Sequence, residues 1–148
     1  MGRRLRVQEG ESAALSLFVD TSVWSLLLRR DQPADVPEVR GLVRALEAGE
    51  RVVTSGLVLQ ELLQGFTGPK AHEQIVERFA AFPLVVPDRQ DHIAAAELRT
   101  VCRKRGVQVG TIDVLLAQLC VRHELTLLTT DGVFGLMANH CPLHIWKA

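Results

Sequence analysis

The first candidate for chemistry is an acidic residue that directly follows an apolar run. Residues Leu15 to Val19 would suit a strand buried on both faces, and Asp20 comes next. Thr21 and Ser22 then offer hydroxyls that could cap a helix. In open parallel α/β sheets, ligands bind outside the carboxyl ends of the strands, so Asp20 is a candidate for binding or catalysis. The alternative is that Asp20 is only a cap or loop acid.

A second acid recurs in the same setting near the end of the chain. Leu125 to Thr130 is a β-rich run, and Asp131 follows it. Asp131-Gly132 could form a hairpin turn, but Val133 to His140 shows no alternation that would make a returning strand. The pattern favours a strand, an acid and a helix start, as at Asp20.

Two further acids fall within helical patterns. Glu61 lies beside apolar neighbours on a helix that Ser55 would cap, and it could line a cavity or simply reach solvent at the edge of the apolar stripe. Asp113 lies in the first turn of a periodic helix that Thr111 would cap. An acid there is favoured by the helix dipole whatever the function, although its line on the helix is not an obvious solvent face.

The elements that must position these acids alternate between strand and helix patterns, which indicates an α/β fold. A helix follows Thr21 to Ser22, another begins near Glu38, and Asp88 or Asp91 could begin a later one. Further short strands are predicted at Arg51 to Thr54, Leu84 to Val86 and Leu143 to Trp146.

Composition narrows the functional classes. A chain of 148 residues is most simply one domain, and its formal charge of zero argues against a protein that coats nucleic acid. Three cysteines without framework spacing favour a reducing, cytoplasmic location. The apolar run that stops at Asp20 is too short for a membrane span, so no membrane association is expected.

The four acids carry a family resemblance. The segments Phe-Val-Asp20-Thr-Ser-Val-Trp, Leu-Gln-Glu61-Leu-Leu-Gln-Gly, Gly-Thr-Ile-Asp113-Val-Leu-Leu-Ala and Leu-Leu-Thr-Thr-Asp131-Gly-Val-Phe resemble the four signature blocks of PIN-domain ribonucleases, especially VapC-type toxins. Each block alone is weak, but four in the right order make a specific signal. The resemblance implies a PIN-like three-layer α/β fold, in which helices flank a central parallel sheet of about five strands and the first strand lies beside the fourth.

The resemblance also implies a site and a reaction. Asp20, Glu61, Asp113 and Asp131 would be the catalytic, metal-binding acids, with Ser22 and Thr129 as supporting polar residues. Hydrolysis of a phosphodiester needs an activated water and stabilised oxygen charges, and carboxylates hold Mg²⁺ or Mn²⁺ for those tasks. Four carboxylates could hold two ions about 4 Å apart.

The implied function is a Mg²⁺- or Mn²⁺-dependent endoribonuclease, the toxin of a type II toxin-antitoxin pair. Its partners would be RNA, a small VapB-like antitoxin and a second copy in a homodimer. Arg29 and Arg103 are candidate RNA contacts, although a solvated helix face is the alternative for the basic stretch around Arg103. Two other functions stay open: an RNA-processing PIN nuclease without a toxin role, and an inactive PIN scaffold that only binds.

Two departures from the family pattern stand out. Val133 occupies a position where many relatives have a further acid, which would weaken a second metal site. Residues 1–14 match nothing in the family, so we expect an unmatched N-terminal arm followed by a single PIN-like nuclease domain at 15–148.

Other classes of protein fit less well. A haloacid-dehalogenase-like phosphatase needs an Asp where Ser22 stands, and a receiver-like domain needs adjacent acids after its first strand. A zinc site of His123, His140, His144 and Cys141 has no standard spacing.

Overall fold

The computed structural model describes residues 15–29 and 34–148, so the N-terminal arm expected at residues 1–14 lies outside the described residues. The described chain contains four strands and seven helices: β1 (Ser16–Val19), α1 (Thr21–Leu27), α2 (Pro37–Glu47), β2 (Arg51–Val53), α3 (Gly56–Gly65), α4 (Pro69–Phe79), α5 (Arg89–Lys104), α6 (Thr111–Arg122), β3 (Thr126–Leu128), α7 (Val133–Met137) and β4 (His144–Ile145). None of these helices is both long and apolar enough to cross a bilayer.

The strands form one parallel sheet in the order β2-β1-β3-β4, which confirms the predicted α/β fold. The described residues form four strands where about five were predicted, because Leu84 to Val86 forms only a single parallel bridge, between Thr54 and Leu84. Prolines at 83 and 87 remove backbone donors on both sides of this segment. Leu84 and Val86 are also 53% and 70% exposed, so little burial favours a longer strand.

The strand β1 lies beside β3. This neighbour is the strand expected as the fourth, because Leu84 to Val86 was expected to be the third, so the pairing implied by the family resemblance is confirmed. Leu17 pairs with Thr126 and Val19 with Leu128, and the Asp20 amide donates to the Leu128 carbonyl at 2.9 Å. From β1 the chain continues to β2 on one side of it, whereas β3 and β4 lie on the other side. The carboxyl ends of β1 and β3 therefore meet at a topological switch point.

The helix starts differ in part from the predictions. Ser55 caps α3 as predicted, since its side chain accepts a hydrogen bond from the Val58 amide. Thr21 and Ser22 do not cap α1; Asp20 occupies the N-cap position, and both hydroxyls bond elsewhere. Thr111 is likewise the first residue of α6 rather than its cap, because Gly110 precedes it at that position.

The helices α5 and α6 are joined by an ion pair whose acid is buried and whose arginine is partly exposed. Asp91, which is completely buried, lies in the first turn of α5 and shares a capping box with Asp88. Its carboxylate accepts two hydrogen bonds from the Arg122 guanidinium, at 2.6 and 2.7 Å, and a longer one from Gln118. Arg122 ends α6, so this pair fixes α6 against the start of α5.

The ion pair leads to a prediction about stability. The hydrogen bonds from Arg122 hold the pKa of the Asp91 carboxyl well below its usual range, although burial acts in the opposite direction. A depressed folded pKa contributes stability above the unfolded pKa of about 3.9, and that stability is lost as the pH falls. Asp91→Asn should lower the free energy of unfolding at pH 7 by about 1 to 3 kcal/mol, since Arg122 remains partly solvated.

Urea unfolding at pH 7 and pH 3 measures the effect, with Glu97→Gln on the exposed face of α5 as the matched control. The difference between Asp91→Asn and the parent should shrink at pH 3, and equal stability of the two proteins at pH 7 would contradict the assignment.

Candidate functional site

The Asp20 carboxylate lies at the carboxyl end of β1 and is only 7% exposed. Its Oδ2 accepts hydrogen bonds from the Ser22 hydroxyl at 2.8 Å and from the Thr129 hydroxyl at 2.9 Å. Its Oδ1 receives no hydrogen bond from residues 15–29 and 34–148, so one oxygen is anchored and the other is available.

The same two hydroxyls also hold the segment that follows β3. Thr129 Oγ1 accepts from the Asp131 amide at 3.0 Å, and Ser22 Oγ accepts from the Thr130 amide at 3.1 Å. Asp131 then uses its Oδ1 to accept from the Val133 amide at 3.0 Å, where α7 begins. Each hydroxyl therefore donates to Asp20 and accepts from the backbone beside Asp131, which locks the ends of the two central strands together.

Glu61 is brought to the site by α3, and a residue of α1 orients it. The Thr21 hydroxyl donates to Glu61 Oε1 at 2.7 Å, and the carboxylate is partly buried. The sequence interpretation missed this role of Thr21. The sequence shows a hydroxyl near the start of α1, but no local sequence pattern indicates that its partner lies on another helix.

Asp113 lies in the first turn of α6 and is half-buried. Burial raises the pKa of the Asp113 carboxyl, and the negative charges of Asp131, Asp20 and Glu61 raise it further. The four acids predicted from the sequence thus lie within electrostatic range of one another. They come from the end of β1, from α3, from α6 and from the loop after β3, and are called the acidic cluster below.

The donor set suits a hard divalent cation. Asp20, Glu61 and Asp131 are each held by one carboxylate oxygen and have the other oxygen free of hydrogen bonds to the described residues. Among these residues, no three His, Cys, Asp or Glu side chains already converge as ligands of one ion. Hard divalent cations such as Mg²⁺ take oxygen ligands and retain several waters, so these three carboxylates are candidate ligands.

A family model described as PIN domain matches residues 17–139, which is most of the chain and includes all four acids. The chain belongs to the PIN domain family. Ribonuclease VapC23 of Mycobacterium tuberculosis is 29% identical over 116 residues, covering 77% of this chain and 90% of that protein.

Solved structures support the same fold. The DNA-bound VapBC complex of Salmonella typhimurium matches with a TM-score of 0.69 and 20% identity, covering 89% of this PIN domain chain and 97% of its counterpart. FitAcB of Neisseria gonorrhoeae matches with a TM-score of 0.65 and 21% identity, covering 88% and 96%. These matches extend the resemblance from the sequence blocks to the three-dimensional arrangement of the chain.

Within the part of the chain that the structure describes, the arginines predicted to contact RNA form no hydrogen bond or ion pair with the four acids. Arg29 follows α1 and Arg103 lies in the last turn of α5; both are exposed and neither bonds to another side chain in the described ranges. A short loop carries the chain from α5 to α6 and hence to Asp113, and the Arg99 guanidinium holds this loop by donating to the Val109 carbonyl at 2.8 Å. Arg103 therefore lies at the end of α5 nearest the start of α6. The contact of Arg29 and Arg103 with RNA stays a prediction.

The charge cluster predicts how the metal-free protein responds to pH. A raised folded pKa penalises the native state above the unfolded pKa, so this penalty is absent below about pH 4 and grows as the pH rises through the folded pKa. Asp113→Asn removes one repelling charge. In EDTA at pH 7 it should melt up to about 3 °C above the parent, a small gain because the group is partly solvated.

Thermal melts between pH 4 and pH 7 measure this gain, with Glu47→Gln on the exposed end of α2 as the control. If Asp113→Asn melts below the parent at every pH, the favourable interaction of this acid with the α6 dipole outweighs its repulsion by the other three acids, and the prediction is wrong.

Proposed function

We propose that this PIN domain is a metal-dependent endoribonuclease that uses Mg²⁺ or Mn²⁺. The observation that carries the proposal is that four carboxylates near the β1-β3 switch point lie within electrostatic range of one another, three of them anchored through a single oxygen. Asp20, Glu61, Asp113 and Asp131 would hold the ion or ions. A bound divalent cation activates water and offsets charge on the reacting oxygens of a phosphodiester.

The chain's own residues would fix the orientation of the ligands. Ser22 and Thr129 hold Asp20 through Oδ2, and Thr21 holds Glu61 through Oε1, so the opposite oxygens would be the ones that bind the ion. Fixed ligands need little rearrangement when charge develops during the reaction, which is the main source of electrostatic catalysis.

RNA is the proposed substrate because the sequence relative is a ribonuclease by name. The formal charge of zero is compatible with this substrate. If divalent ions neutralise the four site acids, the remainder of the protein is net basic and attracts phosphates.

Cleavage assays test the proposal directly. The parent should cut RNA internally when Mg²⁺ or Mn²⁺ is present and lose this activity in EDTA. Asp20→Asn removes a charged ligand while keeping the hydrogen-bonded shape of the side chain, so its activity should fall by about a hundredfold or more.

The matched control is Glu97→Gln, which changes a carboxylate on exposed α5 and should cleave like the parent. Equal cleavage by Asp20→Asn and the parent would exclude the proposed site. An inactive parent that still binds RNA would favour the alternative of a PIN scaffold that has lost catalysis.

We also propose that the protein is the toxin of a type II pair, with a small VapB-like antitoxin as its partner. The support is that matched structures are VapBC and FitAB assemblies. A homodimer and a cytoplasmic location are further parts of the proposal. The cytoplasmic location is supported by the free thiols of Cys102, Cys120 and Cys141.

Expression in bacteria separates a toxin from a processing nuclease. The parent should arrest growth when expressed alone, because cleavage of essential RNA stops protein synthesis, and co-expression of the adjacent small gene should restore growth. Asp20→Asn at the same soluble level should not arrest growth. Normal growth with soluble, active parent protein would favour an RNA-processing nuclease without a toxin role.

A further inference from the structure

A pocket of about 200 Å³ lies directly beside Asp131. Its lining includes Asp131 together with Glu38, Thr129, Thr130, Ile145 and Trp146. A water molecule takes up roughly 30 Å³ of liquid, so this space is too large for a single ion. It is also smaller than the pockets of about 300 Å³ or more that enclose whole drug-sized ligands.

Four parts of the fold build this pocket: α2, the end of β4, the loop after β3, and α7, which contributes Gly135. Glu38 lies in the first turn of α2 and is half-buried, and within the described ranges its carboxylate forms no hydrogen bond or ion pair. Trp146 follows β4, and its amide donates to the Leu127 carbonyl of β3 at 2.8 Å. The Trp146 ring packs against Gly41 of α2, where any side chain would clash with it. The loop after β3, with Thr130 and Asp131, completes the wall.

The chemistry of the lining selects the kind of group that can enter. Two carboxylates, from Glu38 and Asp131, repel a phosphate but accept hydrogen bonds from N–H donors. Ile145 and Trp146 add apolar surface, and an indole is a good platform for a planar ring. A planar, neutral heterocycle with amino donors fits this combination.

The position of the pocket relative to the acids indicates which kind of heterocycle could reach it. Asp131 belongs to both the pocket and the acidic cluster, and Thr129 lines the pocket while donating to Asp20 at 2.9 Å. An RNA strand whose phosphodiester lies at these acids must place a neighbouring nucleoside within a few ångströms. The pocket is a space next to the acidic cluster that can receive the base of this nucleoside.

We propose that this pocket is a subsite for one unpaired nucleobase that flanks the scissile phosphate, and that Glu38 and Trp146 determine which base is preferred. Bases with an exocyclic amino group can donate to the Glu38 carboxylate, whereas uracil cannot offer that group. Glu38 is then a specificity residue and Trp146 the stacking surface. The inference rests on the proposed nuclease function.

The test is cleavage of an RNA pool that is randomised at every position, followed by sequencing of the new ends. The parent should show a preference for an amino-bearing base at one position beside the cut. Glu38→Gln should reduce that preference by about tenfold, within the range expected for a lost base contact, while Glu47→Gln on the same helix should reproduce the parent. Trp146→Phe keeps a ring and should retain the preference, whereas Trp146→Leu should lose it.

The outcomes separate this inference from the proposed function. An active parent whose base preference is unchanged in Glu38→Gln overturns the subsite, and weaker antitoxin binding in that same variant would assign the pocket to the partner protein instead. A parent that cleaves no RNA contradicts the nuclease. In that case fluorescence anisotropy with short RNAs in Mn²⁺, differing at one base, decides the subsite: a base-dependent affinity lost in Glu38→Gln supports it, and equal affinities overturn it.

Discussion

The burial of one carboxylate, that of Asp20, is the constraint on which the site depends. A nearly buried acid is costly unless hydrogen-bond donors compensate for the lost water. Ser22 and Thr129 supply those donors from α1 and from the end of β3. Because both hydroxyls also accept from the backbone beside Asp131, satisfying Asp20 fixes the loop that carries the last acid.

The other helices hold the remaining acids against their mutual repulsion. Asp113 projects from the start of α6, where burial and three neighbouring charges raise the pKa of its carboxyl. The opposite end of that helix carries Arg122, which is bound to the buried Asp91 of α5. An ion pair at one end of α6 thus helps to hold an unfavourable charge at the other end. Separating stabilising and functional groups in this way is common, since functional sites store strain that the rest of the fold supports.

The sequence was sufficient to predict the parallel α/β sheet and the setting of Asp20 and Asp131. A strand followed by an acid is a local pattern, and parallel pairing brings such strand ends together. Glu61 and Asp113 are less visible locally, because each has an ordinary explanation on an amphipathic helix. The expectation that they share one site came only from the resemblance to PIN ribonucleases.

The long-range contacts could not be predicted from the sequence. Thr21 and Ser22 are typical helix-capping residues, yet their hydroxyls bond to Glu61 and Asp20. Whether such a hydroxyl caps its own helix or bonds to a distant carboxylate depends on tertiary packing, which a local sequence pattern does not contain. Leu84 to Val86 shows the reverse case, where β-branched composition predicted a strand but flanking prolines and exposure left a single bridge.

The central claim is that the four acids form a divalent-cation site, and Mn²⁺-dependent melting tests it most directly. A ligand that binds only the native state at one hundred times its dissociation constant adds about 2.7 kcal/mol, which raises the melting temperature of a protein of this size by about 5 to 10 °C. The parent and Glu97→Gln should both show this shift, and Asp20→Asn should show little or none. An equal shift in all three proteins, or none in the parent, would contradict the claim.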